Sequence, residues 1–192
     1  MNNLSHAICA YCIQHTIIDP KDEAWLRYGI EKRLSTAVIM FPFFILSLVL
    51  SDLPSTLSFL IAYKLLRGKT SGYHANTVTG CLAVSLSLEF LFLAGLYPSL
   101  SFKMALVCNF FSCAAIFILA PYDHPNMGLQ FEEKQALQRS SKMTVFSLSV
   151  LSVACYTIGF ISIAKGLSTG VAMAAFSLCL AYINDWRTQN EN

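Results

Sequence analysis

Residues 78–97 read VTGCLAVSLSLEFLFLAGLY, and Glu89 is the only charge among them. Roughly 20 apolar residues are what an α-helix needs to cross the hydrocarbon core of a bilayer. The stretch has no sustained barrel-type alternation, so a helix is the spanning form it predicts. Five more apolar runs flank it: Leu34–Leu50, Leu53–Leu66, Met104–Ala120, Thr144–Ala164 and Leu167–Ile183. Leu53–Leu66 is the shortest and carries Lys64, which would snorkel to the interface. The whole chain of 192 residues is 55% hydrophobic and 12% charged, with a mean hydropathy of +0.56. Soluble domains carry about 25% charged residues, so this chain cannot cover its surface with polar groups. The expected fold is an all-α integral membrane protein with six transmembrane helices, in one domain over residues 1–192.

Lysine and arginine positions orient such a bundle. With six spans and both termini on one side, all but two of the 13 basic residues fall on the side of the termini; the exceptions are Lys103 and Lys165. By the positive-inside rule that side is cytoplasmic, and the loop before Val78 lies there too. Residues 1–33 do not read as a signal peptide, having no basic residue before Lys21 and no apolar core segment. Leu4, Ile8, Tyr11 and Cys12 recur at helical spacing, and Asp19-Pro20 reads as the start of a second helix through Trp25, Leu26 and Ile30. Two amphipathic helices, on the inner leaflet or packed on the bundle, are expected there.

The chemistry concentrates where a basic loop enters the 78–97 run. Residues 67–81 read RGKTSGYHANTVTGC, placing His74 and Cys81 seven residues apart beside Arg67 and Lys69. A thiolate nucleophile needs a base within reach and positive surroundings that lower its pKa. Seven residues on one unbroken helix span about 10.5 Å along the axis, too far for a nucleophile–base contact. A working pair therefore requires a helix break between them, for which Gly72 and Gly80 give flexible points. A break would leave Cys81 in the first turns of a helix, where free N–H groups and the dipole favour a thiolate.

With six spans, this length and Arg-x6-His-x6-Cys entering the third span, the chain resembles the accessory gene regulator B (AgrB) family, membrane proteins that process peptides in Gram-positive quorum sensing. Family members often read Gly-Gly-x-His-Ala where this chain has Ser71-Gly72-Tyr73-His74-Ala75. The resemblance implies a cysteine endopeptidase, with His74 as general base, Cys81 as nucleophile, and Arg67 and Gly72 in support. It further implies a small AgrD-like precursor peptide as partner, acyl transfer to Cys81, and ring closure to a thiolactone or lactone. The implied setting is the cell membrane, with a homodimer as the oligomeric state to test. No cofactor, metal ion or nucleic acid is called for.

Other candidates carry competing readings. Glu89 is an intramembrane carboxylate and so a candidate for orienting the site; a hydrogen bond within the bundle is the plainer reading, and the one favoured. Asp123-His124 would lie at the cytoplasmic exit of the fourth span, where Asp123 could orient His74, or the pair could form a plain turn. Gly166-Leu167-Ser168-Thr169-Gly170 matches Gly-x-Ser-x-Gly, but that motif needs a strand–turn–helix elbow; a tight turn between the last two spans is expected instead. His6, Cys9, Cys12 and His15 recur every third residue, a step of about 300° on a helix, so one helix cannot present all four to one ion. Cys108, Cys113, Cys155 and Cys179 lie in spans and read as small apolar packing residues. A non-enzymatic transporter or sensor, with His74 and Glu89 on a polar pathway, is the competing functional reading.

Overall fold

A computed structural model describes residues 2–14, 23–70, 78–122 and 131–190 of the chain. Asp19-Pro20, Gly72, His74 and Asp123-His124 lie outside these residues, as does His15. The elements are α1 (Asn2–Gln14), α2 (Glu23–Leu50), α3 (Leu53–Thr70), α4 (Val78–Phe90), a π-helical segment (Leu91–Leu96), α5 (Tyr97–Ser99), α6 (Phe102–Leu119), α7 (Phe131–Ile158) and α8 (Ile161–Asn190). No strand occurs among the described residues. The chain divides into two compact units, residues 1–43 and 44–192.

The first unit holds α1 and most of α2. Ile8 and Tyr11 on α1 are exposed. The second helix expected near the N-terminus is not a separate element. Trp25, Leu26 and Ile30 belong to the same 28-residue helix as the first apolar run. No turn-forming residue separates Ile30 from Leu34, so helical hydrogen bonding continues through both.

Among the described residues, four helices are long and apolar enough to cross a membrane: Leu82–Ser99, Phe102–Leu119, Phe131–Ile158 and Ile161–Arg187. The first two expected runs fall short. Met40–Leu50 is a shorter apolar piece of α2, and α3 is too polar. The polar residues of α3 have a definite place. Ser55, Thr56, Ser58 and Thr70 are buried with Phe59, Ala62, Tyr63 and Leu66, while Leu53, Leu57, Ile61 and Leu65 are exposed. Spaced four apart, those four form one stripe. The helix is amphipathic with its serines turned inward.

Those serines face α8, which packs against α3, α6 and α7. Of its apolar window 67% is buried, against 17% for Leu82–Ser99, so α8 is the central helix. Close approach depends on two glycines. A Cβ on Gly166 would run into Ser58 Oγ and the Ser55 carbonyl; one on Gly170 would sit 2.7 Å from the Phe59 carbonyl oxygen and 3.0 Å from Ala62 Cβ. The Gly166–Gly170 stretch is therefore a helix-packing face and not the expected turn. The turn lies earlier, at Gly159, whose φ is +99°. There Phe160 N–H donates to Cys155 O (2.8 Å) and Gly159 N–H to Tyr156 O (3.3 Å), a Schellman termination. The fifth expected run accordingly splits between α7 and α8. A polar node ties three helices: Asn109 Nδ2 reaches Ser168 Oγ (3.2 Å) and Ser152 Oγ (3.4 Å), and the two serines are 2.6 Å apart.

One end of the second unit is closed by Asp52. Its Oδ1 accepts from Ser55 N–H (2.8 Å), capping α3, and its Oδ2 from Ser162 Oγ–H (2.6 Å). Ser55 Oγ lies 2.7 Å from Tyr97 OH, and Lys165 Nζ sits 5.4 Å over the Tyr97 ring. Burial pushes the Asp52 carboxyl up, but the hydrogen bonds from Ser162 and Ser55, with the Lys165 ammonium, outweigh it and hold the carboxyl below its usual value. A depressed carboxylate contributes stability above its unfolded pKa, about 3.9, and loses it as pH falls through the lower folded value. Wild type should therefore melt above Asp52→Asn in detergent at pH 6, and the gap should narrow as pH falls below the ordinary carboxylate value of about 3.9.

Candidate active site

The opposite end of the second unit gathers the chemistry. The last turn of α3 carries Arg67 and Lys69, both half-buried. Cations there also complement the carbonyl end of the helix dipole. Lys69 is not the flexible surface charge its loop context suggests: Nζ donates to Thr144 Oγ1 on α7 at 2.6 Å. The Thr70 carbonyl accepts from Tyr122 N–H (3.1 Å), just after α6. Tyr182 OH on α8 donates to the Leu119 carbonyl (2.8 Å), and the Tyr122 and Tyr182 rings meet at 5.1 Å. Burial first, then the Asp185 carboxylate, pushes the Tyr122 hydroxyl up. The ends of α3, α6 and α8 are thus joined at the first half of α7.

A hydrogen bond to a charged group is worth about 1.5–3 kcal/mol when buried; half-exposure and screening reduce that to about 1. Thr144→Val should lower Tm by about 2–4 °C with every charge intact. Lys69→Met should match that loss in a thermal melt, because it breaks the same contact.

α4 covers Val78–Phe90, which makes Cys81 its fourth residue and places it in the first turn. Ser85 and Glu89 follow at steps of four, forming a polar ridge down the helix. Glu89 is fully buried, and neither carboxylate oxygen has a hydrogen-bond partner among the described residues. The favoured expectation of a hydrogen bond within the bundle is not met. Directly after Phe90 the helix widens into its π-helical segment, with Tyr97 N–H donating to Phe92 O, five residues back. Pro98 supplies a cause: its ring conflicts with the carbonyl four residues earlier, which a wider turn relieves. Such segments recur at functional sites.

A family model described as Accessory gene regulator B matches residues 5–178. The chain belongs to the AgrB family. Neither a curated protein nor a solved structure matches it. AgrB proteins are membrane-associated and are involved in processing autoinducer peptides in quorum sensing. The matched residues include everything from Arg67 to Cys81, and four helices long and apolar enough to span agree with a membrane setting.

Sequence reasoning missed three features of this AgrB chain's site. Thr144 as the Lys69 anchor left no local signal, since a lone threonine in an apolar run has none. The end of α8 approaches α4 where Leu180, Ile183, Asn184 and Arg187 enclose a cavity with Val84; only Arg187 stood out beforehand, as a tail charge. The π-helical segment was foreshadowed by Pro98 alone.

Proposed function

We propose that this AgrB-family chain is an integral membrane cysteine endopeptidase. It cuts the C-terminal part from a small autoinducer precursor on the cytoplasmic side of the membrane. His74 takes the proton of Cys81, and the thiolate attacks the scissile carbonyl. The C-terminal fragment leaves as an amine, protonated by His74, and the N-terminal fragment stays as a thioester on Cys81. An internal cysteine or serine of the precursor then displaces Cys81, closing a thiolactone or lactone. Exchange between thioesters is nearly balanced, so excluding water matters; a site at the boundary of the bilayer serves that. The observation that carries the reading is Cys81 in the first turn of α4, at the end of the unit where Arg67 and Lys69 terminate α3. Free N–H groups and nearby cations both favour a thiolate there.

Six spans support this reading better than four. α3 has 18 residues, about 27 Å at 1.5 Å each, close to the thickness of a hydrocarbon core. Its low hydropathy comes mainly from Lys64, Arg67 and Lys69 in its second half, while its exposed stripe is leucine and isoleucine. Both termini and residues 71–77 are then cytoplasmic, and α1 lies on the inner leaflet. Single cysteines at Gly68, which is exposed, and Ser51, labelled in sealed cells with a membrane-impermeant maleimide, test this: Ser51→Cys should label from outside, and Gly68→Cys only after permeabilisation.

The activity is tested by acid-quenching purified protein with a synthetic AgrD-like precursor peptide. A hydroxylamine-labile adduct on the peptide containing Cys81 is expected. Cleavage with no such adduct, or an adduct on another cysteine, refutes the mechanism.

A further inference from the structure

The cavity between α4 and the end of α8 has a volume of about 230 Å³, lined by Val84, Leu180, Ile183, Asn184 and Arg187. Val84 is one turn beyond Cys81 on the same face of α4, since residues three apart on a helix are neighbours. The lining is apolar at Val84, Leu180 and Ile183, and polar at Asn184 and Arg187, in the last turns of α8. Drug-sized sites begin near roughly 300 Å³. This cavity is smaller, so it fits one side chain and not a folded peptide.

We infer that this cavity is the specificity subsite for the precursor residue whose carbonyl acylates Cys81, and that it selects a large apolar side chain. The inference rests on the reading of Cys81 as the nucleophile. Three arguments join it to that site. The cavity starts on the next turn from Cys81, the separation expected between a nucleophile and the pocket for the adjoining side chain. Three of its five lining residues are aliphatic, so an apolar side chain gains by burying surface against them. Arg187 at its edge presents a planar fork of N–H donors, matched to peptide carbonyls of the bound segment. Leu180, Ile183, Asn184 and Arg187 therefore read the substrate, whereas Arg67 and Lys69 set the electrostatics of the thiol.

The test needs no knowledge of the precursor. Dipeptidyl chloromethyl ketones ending in alanine, leucine or phenylalanine alkylate a nucleophilic thiol: the sulfur–carbon bond forms and chloride leaves. Rates at Cys81 are read by mass spectrometry of the full-length protein in detergent, with iodoacetamide as a probe that uses no subsite. Leucine and phenylalanine probes should react about tenfold or more faster than alanine, in line with pocket discrimination between apolar groups of different size. Ile183→Trp fills the cavity from an exposed position and should erase the advantage of leucine and phenylalanine over alanine. Leu180→Ala enlarges the cavity and should shift preference toward phenylalanine. Arg187→Gln should slow all three peptide probes by a similar factor.

If Cys81 reacts readily with iodoacetamide but shows no preference, or a preference that neither Ile183→Trp nor Leu180→Ala alters, the inference is overturned and the nucleophile reading stands. If Cys81 reacts no faster than Cys108 or Cys155 with any probe, the nucleophile reading falls and the inference with it.

Discussion

Cys81→Ser is expected to abolish precursor cleavage, and His74→Ala to reduce it by about 10²–10⁴-fold, the usual contribution of a positioned general base. A serine hydroxyl at position 81 would not ionise near neutral pH, whereas a thiol has an unperturbed pKa near 8.5. Its location in the first turn of α4 and the charges of Arg67 and Lys69 cannot close that difference. The two losses should not add: Cys81→Ser/His74→Ala should be no worse than Cys81→Ser, since the residues act as a unit. Membrane insertion should stay intact in both variants. Single-turnover cleavage of the precursor, read by mass spectrometry, measures all three variants. Near-normal cleavage by Cys81→Ser would remove the nucleophile assignment. Full activity in His74→Ala would remove the general-base assignment.

The same region shows what a sequence makes legible. The 78–97 run was readable as a spanning helix because lipid demands a long apolar stretch, which leaves a local signature. α6 was readable to within two residues for the same reason. α3 was readable as the short run Leu53–Leu66, but its inward face was not, because the burial of its serines depends on glycines more than 100 residues away. The α7–α8 boundary was misplaced because Gly166 and Gly170 look like turn residues from composition; only the partner helix shows that they are there to be small. At the site, the need for a helix break between His74 and Cys81 followed from the 1.5 Å rise alone; His74 lies outside the described residues. The anchoring of Lys69 by Thr144, 75 positions later in the chain, was beyond any local pattern.

Gly170→Leu is expected to cost more stability than any other single substitution named above. A Cβ at position 170 would meet the Phe59 carbonyl at 2.7 Å and Ala62 Cβ at 3.0 Å. Backbone cannot rotate away as a side chain does, so α3 must move off α8. Overpacking typically costs about 1–3 kcal/mol, and a leucine adds three further carbons to the clash. Gly166→Val should behave alike, since its Cβ would strike the Ser55 carbonyl. Gly68→Ala should have the opposite sign. Gly68 is also helical, nothing lies within 4 Å of its added Cβ, and alanine is better in a helix by about 0.5–1 kcal/mol. Thermal melts in detergent micelles should therefore order the proteins as Gly68→Ala, wild type, then Gly166→Val and Gly170→Leu far below. Activity should fall with the packing, because α3 ends in Arg67 and Lys69 while α8 ends in Ile183 and Arg187. Separating the two helices displaces Arg67 and Lys69 relative to α8. Gly170→Leu that melts with wild type would mean α3 and α8 do not pack through this face, and the inward serines of α3 would need another explanation.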